Sequence, residues 1–230
     1  MRPELSVILP IHNQADHIAA VLRQYYFQFK KRPWEIILVP NACRDDSVQV
    51  CRKIAARHPN TRLVENPKGG WGLSVRAGLE KARGRYLCYT NSARTDPATI
   101  VALFEKFKRS PRSLAKVDRR FRGNRFREWG SWLYNLECHW LLGLSTRDVN
   151  GTPKIFSAAT FRKVSLRSTG DLLDVELLVQ CRDLKIPLLE TPLKGWVRHG
   201  GKSSMSLKSA LRLYLGPFRF LAKARRKDVP

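Results

Sequence analysis

Along the first hundred residues the hydrophobic positions switch between two periods. ELSVILP is a short apolar run ending at Pro10, and the apolar residues of QADHIAAVLRQYYFQF then recur at helical spacing. WEIILVP repeats the strand signature, and CRDDSVQVCRKIAARH reads as a helix with acids in its first turn. TRLVEN, GGWGLSVRAGLEKARG and RYLCYT complete a third and a fourth cycle. Short strands alternating with longer helices predict an α/β domain, with a mostly parallel central sheet covered by helices on both faces. Ligands of such folds collect at the C-terminal ends of the strands. That places Pro10–Gln14, Pro40–Asp46, Asn66–Gly72 and Asn91–Asp96 along one rim.

After Phe107 the pattern loosens. SLAKVD is a candidate strand, and the basic stretch that follows it is too polar to bury. GSWLYNLECHWLLGL has helical periodicity, DVNGTPKIFS turns into a strand, DLLDVELLVQCRDL is a helix, and KIPLLETPLKGWVRH is a long last strand. The end, MSLKSALRLYLGPFRFLAKARRK, is amphipathic, with Leu207, Leu211, Tyr214 and Leu215 on one side and a kink expected at Pro217. No internal repeat or low-complexity linker interrupts the chain. The expected organisation is one domain over residues 1–204 with a basic amphipathic helix over 205–230.

Charge changes the picture more than length does. The 230 residues hold 43 Lys and Arg against 19 Asp and Glu, a net +24 that implies a polyanionic partner. From Lys106 to Glu128 there are ten basic residues and two acids, and from Leu207 onward seven and one. Either stretch is also compatible with a solvated face or a loose tail. Nucleic acid ranks last among the partners, because no helix-turn-helix, zinc or RNA-binding signature accompanies the charge. Five cysteines without close paired spacing suit neither a disulfide framework nor a zinc ribbon, and point to a reducing compartment. The N-terminal apolar run is too short for a signal peptide, and none approaches the ~20 residues of a spanning helix.

Seven segments in order carry a resemblance: SVILPIHNQADHI, EIILVPNACRDDS, NPKGGWGLSVRAGLEKARG, RYLCYTNSARTDP, TRDVNGTPKIF, LLDVELL and ETPLKGWVRHGGKSS. From about Leu5 to about Ser204 the chain resembles the inverting glycosyltransferases of family 2, especially the dolichyl- and polyprenyl-phosphate sugar synthases. The resemblance implies a Rossmann-like GT-A domain that takes a nucleotide-sugar donor at the rim. It also implies a lipid phosphate acceptor and a cytoplasmic protein, peripheral on the inner face of a membrane.

Carried over position by position, it assigns Pro10, Ile11, Asn13 and Gln14 to the nucleobase and ribose, with Gln14 where the family has Glu. Asn41 follows Pro40 where the family has two Asp. Gly70 and Gly72 let the nucleotide approach, or simply make a strand-to-helix turn. The family's Asp-x-Asp falls on Asn91, Ser92 and Ala93, so Mg²⁺ or Mn²⁺ loses its usual carboxylates. Asp96 reads first as a helix cap, with cation ligand as the alternative. Arg94, Arg119, Arg120, Arg122 and Arg125 are candidate substitutes for the cation at phosphate oxygens, and Arg119, Arg120 and Arg122, with Ser203, are also assigned to the acceptor phosphate. Asp174 is assigned to the acceptor side, or is a first-turn helix acid. Arg198, Lys202 and Ser203 belong to a loop that closes over phosphates, or to a plain basic turn. The loss of carboxylates also leaves open a relative that binds nucleotide-sugar or lipid without catalysis.

Overall fold

The computed structural model describes residues 2–119, 125–193, 214–218, 220 and 221, with backbone alone at 125–127. Strand β1 (Leu5–Ile11) leads through helix α1 (Ile18–Phe29) to β2 (Trp34–Pro40), and α2 (Ser47–Arg57) leads to β3 (Thr61–Leu63). Helix α3 (Trp71–Lys81), β4 (Tyr86–Tyr89) and α4 (Pro97–Phe107) complete the first half. The second half runs β5 (Leu114–Arg119), α5 (Arg125–Leu142), β6 (Lys154–Ser157), α6 (Ala158–Lys163), α7 (Leu173–Asp183) and β7 (Leu188–Leu193). One seven-stranded sheet holds them in the order β3-β2-β1-β4-β6-β5-β7.

The sheet is parallel except at β6, which runs antiparallel to both β4 and β5. Every residue of β1 and β2 is buried, as expected of central parallel strands covered on both sides. Alternation sorts their side chains. Leu5, Val7, Leu9 and Ile11 join Leu22, Tyr25, Ile100 and Phe104 in one core layer. Ile8 joins Ile37, Val39, Val75, Leu79 and Phe156 in the other. Two apolar layers of this size fix the strand register, because a one-residue slip would swap the layers.

Several boundaries differ from the sequence expectation. Strand β3 keeps only three residues of TRLVEN. The acids expected in the first turn of α2 precede it instead, with Asp45 accepting from the Ser47 backbone. Helix α5 begins five residues before GSWLYN, inside the basic stretch. Helix α6 is an additional short element, capped by Ser157, which accepts from the Thr160 backbone. The last strand ends at Leu193, and the remainder of its expected run lies outside the described residues. Most of the expected C-terminal helix lies outside them too, although Tyr214, Phe220 and Leu221 pack against the second core layer.

Candidate active site

The strand order reverses between β1 and β4: β1 is followed by β2 on one side, whereas β3 leads back to β4 on the other. A crevice opens above such a switch point, at the strand C-terminal ends. Pro10 and Ile11 end β1, and Thr90, Asn91 and Ser92 follow β4, so the two loops face each other across it.

Neutral groups close the floor of this crevice. Ser92 Oγ lies 2.9 Å from Gln14 Oε1 and 3.2 Å from the Pro10 carbonyl, and donates across the gap between the loops. Ser92 is fully buried and Gln14 nearly so. Gln14 is fixed further by its backbone N–H, which donates to Ser47 Oγ at 2.8 Å. Asn91 folds its side chain back, with Oδ1 accepting from the Ala93 N–H at 3.1 Å, while Arg94 N–H donates to the Asn91 carbonyl. Thr90 and Thr95 hydroxyls meet at 2.6 Å, and Tyr25 donates to the Thr95 carbonyl. The turn from 90 to 95 is therefore held by its own amides and hydroxyls.

The adjoining wall is built from amides. Asn41 Nδ2 donates to the Ile11 carbonyl at 3.0 Å, and Asn41 pairs with Asn66 as an isolated bridge. Asn66 Nδ2 donates to Ser74 Oγ, which in turn donates to the Gly70 carbonyl. Asn13 and Ala42 adopt left-handed backbone, at φ 49° and 43°. Such conformations cost on the order of 1–3 kcal/mol at a non-glycine residue and gather where a loop must be aimed. Asn13 Oδ1 offsets part of this by accepting from the Arg44 N–H.

Gly70 and Gly72 meet protein backbone. A Cβ at Gly70 would collide with the Thr169 carbonyl, and one at Gly72 with the carbonyls of Ser168 and Gly170. Leu73 N–H donates to the Thr169 carbonyl at 3.1 Å, locking the segment 168–170 against the start of α3. Glu176 grips the same segment from behind, through the N–H groups of Arg167 and Ser168.

Charge is concentrated beyond β4. Asp174 is buried and accepts from the Tyr89 hydroxyl at 2.7 Å and from Lys154 Nζ at 2.5 Å, both on Oδ1. Lys154, wholly buried, also donates to the Val149 carbonyl. Burial pushes the Lys154 amine down to about 8, against the pull of Asp174. Burial, followed by the Asp174 charge, pushes the Tyr89 phenol well up, which keeps it a donor. On β5, Lys116 Nζ donates to Glu190 and Thr146, and Arg119 makes a two-pronged pair with Asp148 at 2.7 and 2.9 Å. Lys116, Lys154, Asp148 and Glu190 carry no ligand signature in the sequence. Only the sheet reveals that they share an interior.

Several expected roles thus meet committed side chains. Asp174 is already paired with Lys154 and Tyr89, and Arg119 already pairs with Asp148 in the fork geometry it would offer a phosphate. Asp96 caps α4, accepting from the Ala98 N–H at 2.8 Å, and lines a shallow depression with Ala20, Arg23 and Phe27 of α1. Arg120, Arg122, Arg198, Lys202 and Ser203 lie outside the described residues.

The family model for Glycosyl transferase family 2 matches residues 6–170. A dolichyl-phosphate beta-glucosyltransferase of Drosophila melanogaster is 26% identical, over 91% of this chain and 72% of its own. An undecaprenyl-phosphate 4-deoxy-4-formamido-L-arabinose transferase of Pseudomonas fluorescens is 26% identical, over 63% of this chain and 44% of its own. The chain spans less than half the length of several curated relatives it matches. Among solved structures, glucosyl-3-phosphoglycerate synthase of Mycobacterium tuberculosis with Mn²⁺, UDP and phosphoglyceric acid superimposes with a TM-score of 0.75. It is 18% identical and covers 100% of this chain and 80% of that one. The fold is therefore GT-A.

The residues present do not suit a divalent cation like the one in that structure. No carboxylate occurs from Thr90 to Thr95. Asn91 Oδ1 is committed to the Ala93 N–H, Ser92 Oγ is turned toward Gln14 and Pro10, and the Ala93 side chain offers no ligand atom. Hard cations of this class favour anionic oxygens. Among the described residues, no three His, Cys, Asp or Glu side chains gather where they could hold a metal ion.

Proposed function

Because the chain belongs to glycosyl transferase family 2, we propose that it transfers a sugar, with inversion, from a nucleotide-sugar to the phosphate of a polyprenyl lipid, without a divalent cation. The observation that carries this reading is the neutral crevice floor at Gln14 and Ser92, set in a GT-A sheet beside a densely cationic chain. The nucleotide lies against Pro10–Gln14, Asn41 and Asn66. Its diphosphate lies over Asn91 beside Arg94, and the family pattern assigns Arg198, Lys202 and Ser203, outside the described residues, to the same phosphates.

A lipid phosphate is ionised near neutral pH and needs no general base. One of its oxygens attacks the anomeric carbon, the bond from that carbon to the diphosphate oxygen breaks, and the nucleoside diphosphate leaves with the electron pair. Stabilising that charge is the main demand of the reaction. Guanidinium and ammonium groups meet it here, at the bidentate geometry Arg offers phosphate. Asp174, tied to Lys154, serves by holding Tyr89 and the start of α7 at the acceptor side. The acceptor lies in a membrane, and the basic chain approaches the membrane's cytoplasmic face.

The absent carboxylates also favour a second reading, a relative that binds nucleotide-sugar or lipid without turnover. Product formation from UDP-glucose or GDP-mannose with polyprenyl phosphate, measured with and without chelator, decides. Turnover that survives chelation supports the first reading, and turnover that requires Mn²⁺ overturns its cation-free chemistry. No turnover, with a nucleotide still raising the thermal midpoint, supports the second; a ligand at about 100 times its Kd stabilises by roughly 2.7 kcal/mol.

A further inference from the structure

Helix α5 is apolar on two opposite sides. Tyr134, Cys138 and Leu142 are buried against the second core layer. On the other side Trp129, Trp132, Leu133, Leu136 and Trp140 are exposed, with the three tryptophans at 69%, 58% and 77%. At 3.6 residues per turn, positions 129, 132, 133, 136 and 140 fall within about 100° of arc. They form one continuous stripe, opposite the buried one.

An ordinary surface helix has one apolar face. Three tryptophans exposed by more than half present on the order of several hundred Å² of apolar surface, enough to mark an interaction site. Trp129 and Trp132 rings touch edge-on at 6.2 Å, so the stripe is continuous at that end.

We propose that this stripe is a membrane-docking face, seated in the boundary between headgroups and acyl chains of an anionic leaflet. Tryptophan is enriched at that boundary, where an amphipathic ring meets both water and hydrocarbon. Charge selects the occupant. A second copy would bring +24 against +24, whereas an anionic leaflet is complementary to both. The sequence around the stripe is cationic: Arg119, Arg120, Arg122, Arg125 and Arg127 precede it, and exposed Arg147 follows α5. No helix among the described residues is long and apolar enough to cross a membrane, which matches a helix lying on the surface. The segment carrying Tyr214 braces α5 from the side, with its hydroxyl donating to the Gly130 carbonyl at 2.7 Å. Docking through α5 deepens the proposed use of a lipid acceptor, but the physical claim concerns the surface alone.

The test uses the full chain and vesicles of phosphatidylcholine, alone or mixed with phosphatidylglycerol. Flotation should require phosphatidylglycerol, and brominated acyl chains should quench the tryptophan emission. The variant Trp129→Gln/Trp132→Gln/Trp140→Gln should partition about tenfold more weakly or worse. A chain ending at Leu221, and so lacking Lys223, Arg225, Arg226 and Lys227, should keep the quenching.

Unchanged flotation of the triple variant, or no quenching of the native chain, would overturn the proposal. So would a native dimer that the triple substitution dissociates, since a second copy would then be the occupant. A nucleotide-induced rise in thermal midpoint, measured on the same variant, reports the donor site separately. If that rise persists while flotation is lost, the surface is confirmed independently of the reaction. If flotation holds and no nucleotide stabilises the native chain, the reaction reading fails and the surface stands.

Discussion

The two halves of the sheet solve opposite problems. Around β1, β2 and β4 the loops are joined by amides and hydroxyls: Gln14 to Ser92, Asn41 to Ile11, Asn66 to Ser74. Beyond β4 the interior holds Lys154 with Asp174, Lys116 with Glu190, and Arg119 with Asp148. Neutral pairs can be remade around an incoming anion at little cost, because a typical exchanged hydrogen bond is worth about 0.5–1.5 kcal/mol. Buried ion pairs cannot be opened so cheaply. The crevice loops are built for exchange and the interior beyond β4 for rigidity.

The largest effect that can break this comparison is at Asp174. Replacing it by Asn leaves Lys154 buried without its anion, and breaking one side of such a pair costs about 3–5 kcal/mol. Urea unfolding should show that loss, and the double change Asp174→Leu/Lys154→Met should recover most of it. A single variant that stayed as stable as the native chain but lost turnover would give Asp174 a direct chemical role instead.

The pH dependence is smaller and has a definite sign. Burial holds the Lys154 amine at about 8 in the folded state, below its ordinary value near 10.5. Between those values the unfolded chain binds more protons, so this group's contribution to stability rises with pH across the window. Below about 8 both states carry the proton, and the full desolvation penalty remains. A Lys154→Met chain should lack this rise; an identical profile in native and variant proteins would place the titration elsewhere.

In the crevice, Ser92→Ala removes the hydroxyl that joins Gln14 and Pro10. One buried acceptor left unpaired costs about 1–3 kcal/mol. Thermal unfolding measures that loss, and nucleotide affinity should fall with it, since the two loops then separate. A variant that loses stability while keeping its affinity would show that Ser92 only braces the loops.

How far the sequence reached follows from the physics of each half. The first hundred residues announce themselves because β1, β2 and β4 are buried throughout and each helix buries one face, giving two clean periods. That periodicity also located the rim. The second half was harder to read. Lys116 and Lys154 look like surface residues in a strand pattern, and nothing local reveals that Glu190 and Asp174, far away in sequence, neutralise them. Gly70 and Gly72 were legible as close-approach positions, but not that the approaching group is the 168–170 backbone. Helix α5 was visible from its periodicity, whereas its second apolar side required knowing which face the core takes.

The smallest effect belongs to Asn91. Its Oδ1 accepts from the Ala93 N–H, and a carboxylate accepts there equally well, so Asn91→Asp should change stability by less than about 0.5 kcal/mol. Its value lies in the chemistry. One new carboxylate beside Ser92 and Ala93 still supplies a poor set of anionic oxygens, and it puts negative charge where a diphosphate would lie. Turnover should therefore fall, and Mn²⁺ should restore little of it. Strong rescue of the variant by Mn²⁺ would mean that the crevice readily completes a metal site, and that the native amide is all that keeps the cation out. The contrast between a neutral crevice and a charged interior would then rest on one side chain rather than on the loops together.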